Sequence, residues 1–207
     1  MGQTESPSIP RKTVYRLSIY QRCLQRLLDN DVETVSSQAL AKAAGVKPTQ
    51  LRKDLTYFGQ FGTRGLGYDV PGLMGSIREV LGRTRLQPVV LVGVGNLGSA
   101  LLRYQGFNKE GFEIVAAFDI APEKVRNSPV PVLPRQELVD FLTSHGVKMA
   151  ILAVPASVAQ EVVNQMVEAG IQAILNFSPL ILEVPEDVMV NNVDLAVELE
   201  NLSYFVR

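Results

Sequence analysis

The sequence has few of the residues that build covalently or metal-stabilised folds: one cysteine, one histidine and no tryptophan among 207 residues. Because Cys23 is the single cysteine, an intrachain disulfide is excluded, and so is a thiolate metal cluster formed by one chain. The sequence also contains no apolar run close to the roughly 18 residues that a membrane helix requires. We therefore predict a cytoplasmic protein that binds neither a metal ion nor a membrane.

The net charge of −1 conceals an uneven distribution of charged residues along the chain. Residues 1–85 contain 13 lysines and arginines against 7 acidic residues, whereas residues 86–207 contain 7 against 14. The first part is therefore basic and the second part acidic. This polarity predicts an anionic partner, such as nucleic acid, for the first part only.

Three helices are predicted in the basic part. Apolar residues at spacings of three and four over residues 13–28 predict an amphipathic first helix. Serine caps and Gly45 bound a second helix over residues 38–44, and Pro48 suits the first position of a third helix. Two helices joined by a tight glycine-containing turn are typical of a helix-turn-helix, whose second helix lies in the major groove of DNA.

Residues 59–68 contain four glycines with aromatic residues between them, which predicts a tight β-hairpin. After a helix-turn-helix, such a hairpin is interpreted as a wing. A further helix over residues 71–83 closes this part of the chain, and a linker is expected near residues 84–87. We thus predict a flexible polar tail over residues 1–12, followed by a winged-helix DNA-binding domain over residues 13–85.

From Pro88 onwards, short β-branched runs alternate with segments of helix length, which indicates a parallel α/β sheet. Strands are predicted over residues 89–92, 114–118, 149–154 and 173–177, and helices over residues 96–106, 135–145 and 156–169. The predicted fold class is α/β, with a Rossmann domain (a doubly wound parallel sheet) over residues 86–190. A C-terminal helix follows over residues 191–207.

A glycine motif follows the first strand of this sheet and opens the next helix, where a dinucleotide-binding turn belongs. Gly93 permits the tight turn, Gly95 lets the backbone approach a pyrophosphate, and Gly98 lets helix and strand pack closely. Asp119 ends the next strand, 21 residues after Gly98, where a carboxylate accepts hydrogen bonds from ribose hydroxyls and repels a 2′-phosphate. The motif, completed by Val94, Asn96 and Leu97, predicts binding of NADH or NAD+ rather than their phosphorylated forms.

Residues at the carboxyl ends of the later strands extend this predicted site, since ligands of doubly wound sheets bind at that edge. The segments concerned are Val154-Pro155 and Asn176-Phe177-Ser178-Pro179. Their apolar members fit a nicotinamide pocket. The alternative is that Val154 and Phe177 belong to the core and that the prolines only interrupt helices or strands.

The third helix carries polar side chains away from its apolar face, and these predict contacts to bases and phosphates. Arginine and lysine suit guanine and phosphate, and glutamine suits adenine; the residues are Lys47, Thr49, Gln50, Arg52, Lys53 and Thr56. A solvated charged face is the alternative. Arg64 lies between glycines at the tip of the predicted wing, where a guanidinium is attracted to a narrow minor groove.

These motifs resemble the Rex family of redox-sensing repressors over nearly the whole chain. The segments that carry the resemblance are Arg16-Leu17 with Tyr20, Leu51 to Leu55, Tyr57-Phe58-Gly59, Gly65 to Tyr68, Gly93 to Gly98, Ala117 to Ile120, Asn176 to Pro179 and Asp194 to Leu199. The resemblance implies a homodimer with a winged-helix domain, a Rossmann domain and a C-terminal helix exchanged between subunits. It further implies that NADH binding releases double-stranded operator DNA.

The same resemblance adds residues to the predicted sites. It implies that Ile120 and Tyr104 belong with the cofactor residues, and that Tyr57 and Gly65 belong with the DNA residues. It also implies a switch in which an Arg–Asp contact alternates with a Tyr–Asp contact, formed by Arg16, Tyr104 and Asp194.

The sequence favours a sensor over an enzyme. A dehydrogenase needs a positioned acid or base and a substrate site, but the one histidine, His145, lies at the end of a predicted helix. Few residues follow the Rossmann pattern, so no catalytic residue is predicted. Two alternatives remain open, a small NAD-dependent oxidoreductase and a winged-helix regulator that senses another nucleotide such as coenzyme A. Separately, a stripe at Leu195, Leu199, Leu202 and Val206 predicts a helix face that a partner covers or that docks on its own domain.

Overall fold

Residues 9–59, 61, 67–82 and 86–206 are described by a computed structural model. The chain divides into two units, Met1–Arg85 and Leu86–Arg207, each with its own internal contacts. Within the described ranges, no helix combines the length and apolarity that crossing a membrane demands. In the same ranges, no three side chains of the histidine, cysteine, aspartate or glutamate types are grouped as metal ligands.

The first unit contains four helices and a two-stranded antiparallel sheet among its described residues. The helices are α1 (Arg11–Leu28), α2 (Ser37–Ala43), α3 (Pro48–Thr56) and α4 (Val70–Val80), and the strands are β1 (Thr34–Val35) and β2 (Tyr68–Asp69). Ser36 Oγ accepts from Ala39 N at 3.1 Å and so caps α2. Leucines from four helices pack around Tyr20 and give this unit its core, which includes Leu17, Leu24, Leu40, Leu51, Leu55, Leu73 and Ile77.

The helix-turn-helix is confirmed, and the boundaries need small corrections. Helix α1 begins at Arg11 after Pro10, so the predicted tail is wrong for its last two residues; residues 1–8 lie outside the described range. Helix α4 begins at Val70, before the proline expected to open it, because the Asp69 carboxylate caps it by accepting from Gly72 N at 2.7 Å.

The predicted wing hairpin falls mainly outside the described residues, since 60 and 62–66 are not described; these include Arg64 and Gly65. What is described is the strand that follows it. Strand β2 pairs with β1, a two-residue strand that sequence periodicity could not reveal. Gly67 precedes β2 with a φ of +88°, and a Cβ there would lie 2.5 Å from Val35 O. Only glycine fits this approach of the two strands.

The second unit contains a six-stranded, fully parallel sheet with helices on both faces. Its strands are β3 (Gln87–Val92), β4 (Phe112–Asp119), β5 (Val132–Pro134), β6 (Met149–Leu152), β7 (Ala173–Asn176) and β8 (Met189–Asn192). They lie in the order β5-β4-β3-β6-β7-β8, so the direction of winding reverses between β3 and β6. This is the Rossmann strand order, and ligands of such sheets bind at the reversal point.

The helices of this unit are α5 (Asn96–Leu102), α6 (Gly106–Lys109), α7 (Leu138–His145), α8 (Ala156–Glu168) and α9 (Leu195–Ser203). Alternate residues of β3 feed two separate clusters. Val90 and Val92 pack with α7 and α8, whereas Val89 and Leu91 pack with Leu102 at the end of α5. The α/β prediction is therefore confirmed, with both faces of the sheet covered.

Three sequence predictions for this unit are corrected. The helix expected over residues 96–106 ends at Leu102, and a second helix begins at Gly106 after a turn. The Tyr104 ring packs over Gly106 in this turn, where a Cβ would lie 2.3 Å from the ring. The helix expected over residues 135–145 begins with a 3₁₀ turn, and its α-helical part begins at Leu138. Two short strands, β5 and β8, were missing from the sequence prediction.

The C-terminal helix is shorter than the predicted span of 191–207. Residues 191 and 192 belong to β8 and pair with Leu175 and Asn176. Helix α9 begins at Leu195 because the Asp194 carboxylate accepts from Ala196 N at 2.9 Å and from Val197 N at 3.2 Å. The exchange of this helix between subunits stays a prediction.

Candidate nucleotide site and nucleic-acid interface

The glycine motif forms a tight turn between β3 and α5. Gly93 has a φ of +94°, and a Cβ there would lie 2.5 Å from Ala153 O. A Cβ at Gly98 would lie 1.9 Å from Gly93 O, so any side chain would force the helix away from the turn. In contrast, a Cβ at Gly95 would meet no atom within 4 Å. The first and third glycines thus serve the fold, and the second leaves open space for a ligand to approach the backbone.

Asp119 organises this turn from the end of β4. Its Oδ2 accepts from Val94 N at 2.7 Å, and its Oδ1 accepts from Ala121 N at 2.9 Å. Ser99 Oγ donates to Val94 O, in the next peptide group, at 3.2 Å. The sequence predicted only a role for Asp119 toward ribose. The role of Asp119 in fixing the glycine turn is seen only in the hydrogen-bond geometry.

A cleft of about 430 Å³ opens beside Asp119 and the glycine turn. Three cationic residues, Arg103, Lys124 and Arg126, line it together with the carboxylate. Its remaining lining residues are Val94, Gly95, Ser99, Ala121 and Val125. Sequence reasoning missed the three cations, because they come from the end of α5 and from the irregular segment after β4. Their charge suits a phosphate-bearing ligand.

The other predicted turn residues have different surroundings. Asn96 is the first residue of α5, Leu97 is partly exposed beside it, and Ile120 is 80% exposed directly after Asp119. Tyr104 is exposed and packs edge to face on Phe107, with ring centroids 5.0 Å apart. An exposed apolar side chain next to Asp119 is available to a nucleobase.

The ends of β6 and β7 come together as predicted, but their polar side chains are used to build the loop. Asn176 is fully buried, and its Nδ2 donates to Leu180 O and to Asn192 Oδ1, both at 2.9 Å. Ser178 Oγ donates to Val154 O at 2.5 Å and so ties the two strand ends to each other.

The apolar members of these segments lie at the strand ends, and two of them are partly buried against core clusters. Val154 lies beside the glycine turn, since its Cγ1 would be 2.8 Å from a Cβ at Gly93. Phe177 is partly buried against the cluster under α5, and Pro155 precedes α8 as its N-cap residue.

In the first unit, helix α3 presents a polar surface. Lys47, Thr49, Arg52 and Lys53 are exposed, whereas Gln50 is half-buried. Arg52 Nη1 donates to Ser37 Oγ at 3.2 Å and so links α3 to α2. Thr56 turns its hydroxyl back onto Lys53 O at 2.7 Å, and Tyr57 follows the helix, 36% exposed.

The most constrained group in this unit is the carboxylate of Asp54, on α3 and only 1% exposed. Arg16 on α1 binds it with two parallel hydrogen bonds, Nε to Oδ2 at 2.5 Å and Nη2 to Oδ1 at 2.7 Å. Tyr20 donates to Oδ2 at 2.7 Å, Gln50 Nε2 to Oδ1 at 2.9 Å and Thr13 Oγ1 to Oδ1 at 3.3 Å. We name this set the Asp54 cluster.

Electrostatics inside the Asp54 cluster favour the charged carboxylate. Burial raises the pKa of Asp54, but hydrogen bonds from Arg16, Tyr20 and Gln50 outweigh it and hold the pKa below its ordinary value. Burial and the bond to Asp54 raise the pKa of the Tyr20 hydroxyl, so that it stays a donor. The cluster therefore stays ionised at neutral pH.

Within this chain, each of the three predicted switch residues has a different contact. Arg16 is held by Asp54, Asp194 caps α9, and Tyr104 packs on Phe107. Sequence reasoning named Arg16 but missed Asp54 as its partner. Asp54 shares the helical spacing of the apolar residues Leu51 and Leu55, and this spacing could have indicated that its carboxylate is buried.

Comparison with known proteins gives a consistent result for both units. Residues 84–180 match the family model described as "CoA binding domain", and residues 8–56 match "Putative DNA-binding protein N-terminus". A protein from Pelotomaculum thermopropionicum named "Redox-sensing transcriptional repressor Rex" is 48% identical over 95% of this chain and 93% of its own.

Two solved structures of one protein are also similar along almost the whole chain. "RSP in complex with beta-NAD+ and operator DNA" is 37% identical with a TM-score of 0.89, and the match covers 96% of this chain and 93% of that one. "RSP in complex with beta-NADH" is 36% identical with a TM-score of 0.84, over 96% and 94%.

Proposed function

The chain belongs to the Rex family of redox-sensing transcriptional repressors, and on that basis we propose that NADH bound by its second unit releases the operator DNA bound by its first. The observation that carries this proposal is the 37% identity, over 96% of the chain, to a repressor solved with both NAD+ and operator DNA. The same protein has been solved with NADH. The glycine turn of the second unit and the polar surface of α3 are the features that support the proposal.

The residues of the second unit fit a dinucleotide. We propose that the backbone at Gly95 approaches the pyrophosphate, where no atom stands in the way of a ligand. Asp119, fixed by two backbone N–H groups, would accept from the adenosine ribose, and Arg103, Lys124 and Arg126 would balance the phosphates. When bound, the cofactor supplies a ring that is neutral when reduced and cationic when oxidised.

Apolar side chains at the strand ends give a physical reason for sensing. A cationic ring loses more by leaving water than a neutral one, so a pocket built from Val154, Pro155 and Phe177 favours the reduced form. A ligand shifts a conformational equilibrium only through its different affinities for the two states. We propose that this preference couples the cofactor site to DNA binding.

In the first unit, polar residues of α3 are proposed to contact DNA: Lys47, Thr49, Gln50, Arg52 and Lys53, with Tyr57 beyond its end. The exposure of all of them except the half-buried Gln50 supports this assignment. Arg64 and Gly65 of the predicted wing are carried forward as proposed minor-groove contacts.

We further propose that Arg16, Tyr104 and Asp194 take part in switching. The support comes from Arg16, whose guanidinium binds Asp54 on α3. A contact made or lost by the same guanidinium would therefore bear on the helix proposed to read DNA, with the Asp54 bonds kept in place. Substituting Arg16 with lysine keeps the charge but loses the bidentate hydrogen bonding to Asp54.

The functional form is proposed to be a homodimer without a catalytic residue or a metal. Helix α9 has no buried residue in the single chain, and it exposes Leu195, Leu199 and Leu202, with Phe205 and Val206 after it. An apolar face of this kind needs a cover. We propose that a second copy of the chain provides it.

The test is release of a fluorescent operator duplex titrated with NADH at several NAD+ concentrations and one fixed salt level, because phosphate contacts make affinity salt-dependent. We expect release that depends on the NADH/NAD+ ratio. Coenzyme A serves as a comparison because of the family model that matches residues 84–180; release by it at lower concentration would replace NADH in the proposal. A duplex complex that persists in saturating NADH would refute it.

A further inference from the structure

The Asp54 carboxylate leaves no acceptor position free for another donor. An ionised carboxylate has about four lone-pair sites, and five hydrogen bonds from four residues converge on this one. Three of those residues lie on α1, 34 to 41 positions away along the chain. The fourth, Gln50, lies one turn earlier on α3 itself. Because Asp54 joins two helices and also binds Gln50, it fixes the position of the Gln50 side chain as well.

Gln50 is held in one orientation by chemistry, not by shape alone. An ionised carboxylate only accepts hydrogen bonds, so the amide nitrogen of Gln50 must face Asp54 and the carbonyl oxygen must face elsewhere. Within the described part of the chain, Gln50 Oε1 has no hydrogen-bond partner, and no unpartnered side-chain oxygen of a half-buried residue is shielded from solvent. The Gln50 carbonyl oxygen is therefore solvent-accessible.

This arrangement fixes which groups of Gln50 can meet a base. In the usual contact between glutamine and adenine, the carbonyl oxygen accepts from N6 while the amide nitrogen donates to N7. Here one of the two amide hydrogens is committed to Asp54, which leaves the carbonyl oxygen, with the second amide hydrogen beside it, for a partner. A carbonyl acceptor fits an exocyclic amino group, which adenine and cytosine offer in the major groove and guanine and thymine do not.

We propose that Asp54 is a positioning residue for DNA sequence specificity, which orients Gln50 so that its carbonyl oxygen selects a base with an exocyclic amino group at one operator position. This inference rests on the proposed function. It adds a residue that does not touch DNA to those that decide which sequence is bound, and it states what chemical feature of the base is recognised.

The experiment measures affinities of the full-length parent and its variants for operator duplexes that differ at single base pairs. Anisotropy is read at fixed salt, without NADH, and each variant is first checked for a cooperative thermal transition. For the parent, we expect one position where replacing adenine by purine, which lacks the amino group, weakens binding about threefold to tenfold, the range for one hydrogen bond. If cytosine stands there, thymine is the matching substitution.

Gln50→Ala should abolish discrimination at that position, and Asp54→Asn should do the same because asparagine also donates and no longer fixes the amide. The double variant should show no further loss of discrimination. Thr13→Val is the matched control, since it removes the two longest hydrogen bonds of the same cluster, one donated to Asp54 and one accepted from Arg16, while leaving the Gln50 bond intact. Its discrimination should equal that of the parent.

Asp54→Asn that discriminates as the parent does would overturn the proposal, and so would a Thr13→Val variant that loses discrimination. If Asp54→Asn fails to fold, the base analogue in the parent still decides: the absence of any position at which loss of the amino group weakens binding refutes the presented carbonyl. Failure of the parent to bind any operator duplex would instead refute the proposed function.

Discussion

Removing the carboxylate of Asp119 is expected to damage the glycine turn before any ligand binds. In Asp119→Ala, the N–H groups of Val94 and Ala121 lose their acceptor. Both lie beside the cleft, so water can replace the carboxylate only in part. The variant should therefore show two separate defects, a lower melting temperature without ligand and a weaker affinity for NADH.

The size of the first defect follows from the two bonds. Hydrogen bonds to a charged acceptor contribute about 1.5–3 kcal/mol each when buried, and for this half-exposed pair we take the lower end, about 2–3 kcal/mol together. For a unit of this size, about 1 kcal/mol lowers the melting temperature by about 4 °C. Asp119→Ala should then melt about 8–12 °C below the parent. Asp119→Asn keeps one acceptor oxygen and should lose about half as much.

The assay is differential scanning calorimetry of the thermal unfolding of the second unit, combined with a titration of NADH. NADH binding is followed by the fluorescence of the cofactor, because the chain has no tryptophan whose emission would overlap with it. Glu123→Ala is the matched control, because it removes an exposed carboxylate just beyond Asp119. It should change neither quantity. An Asp119→Ala variant that melts within about 1–2 °C of the parent would show that the carboxylate does not support the turn.

Three further results are expected. Gly98→Ala should lose both stability and NADH binding, because its Cβ would clash with Gly93 O, whereas Gly95→Ala should fold at the parent's melting temperature and lose only NADH affinity, as calorimetry and titration would show. Because hydrogen bonds hold the pKa of Asp54 below the ordinary value of about 3.9, its stabilisation is complete above that pH and is lost as pH falls through the folded value, so acid unfolding of the first unit should begin below about pH 4 and be blunted in Asp54→Asn. Leu199→Glu should yield monomers in sedimentation analysis if a second copy covers α9; an unchanged sedimentation coefficient would contradict the homodimer.

The features that sequence predicted well are those with local physical causes. The glycine turn could be placed because each glycine has its own steric reason at a fixed spacing after an apolar strand. The second helix was bounded correctly to within one residue because Ser36 caps it and Gly45, with a φ of +67°, follows it. Long apolar strands such as β3 and β4 were found because burial on both faces leaves a continuous hydrophobic run.

The features that sequence missed depend on partners far along the chain. Asp54 shares the helical spacing of the apolar face of α3, but its partner Arg16 lies on α1, 38 positions away, and no local pattern joins the two. Strand β5 has only three residues and strand β8 is mostly exposed, so neither contains an apolar run, and both exist because a neighbouring strand offers its backbone. The cationic cleft likewise joins Arg103 to residues after β4 that no local pattern connects.

The Asp54 cluster also limits how NADH can act on DNA binding. Breaking a buried ion pair costs about 3–5 kcal/mol, and moving a population from about 1:99 to 99:1 requires about 5.5 kcal/mol in all. A switch that pulled α3 away from α1 would therefore use most of this free-energy difference to break one contact. A switch in which NADH leaves the first unit internally intact, and changes only how that unit meets the duplex, requires less free energy. Hydrogen exchange of the α3 amides should then be the same with NADH and with NAD+ in the absence of DNA, and faster exchange with NADH would show that the cluster opens.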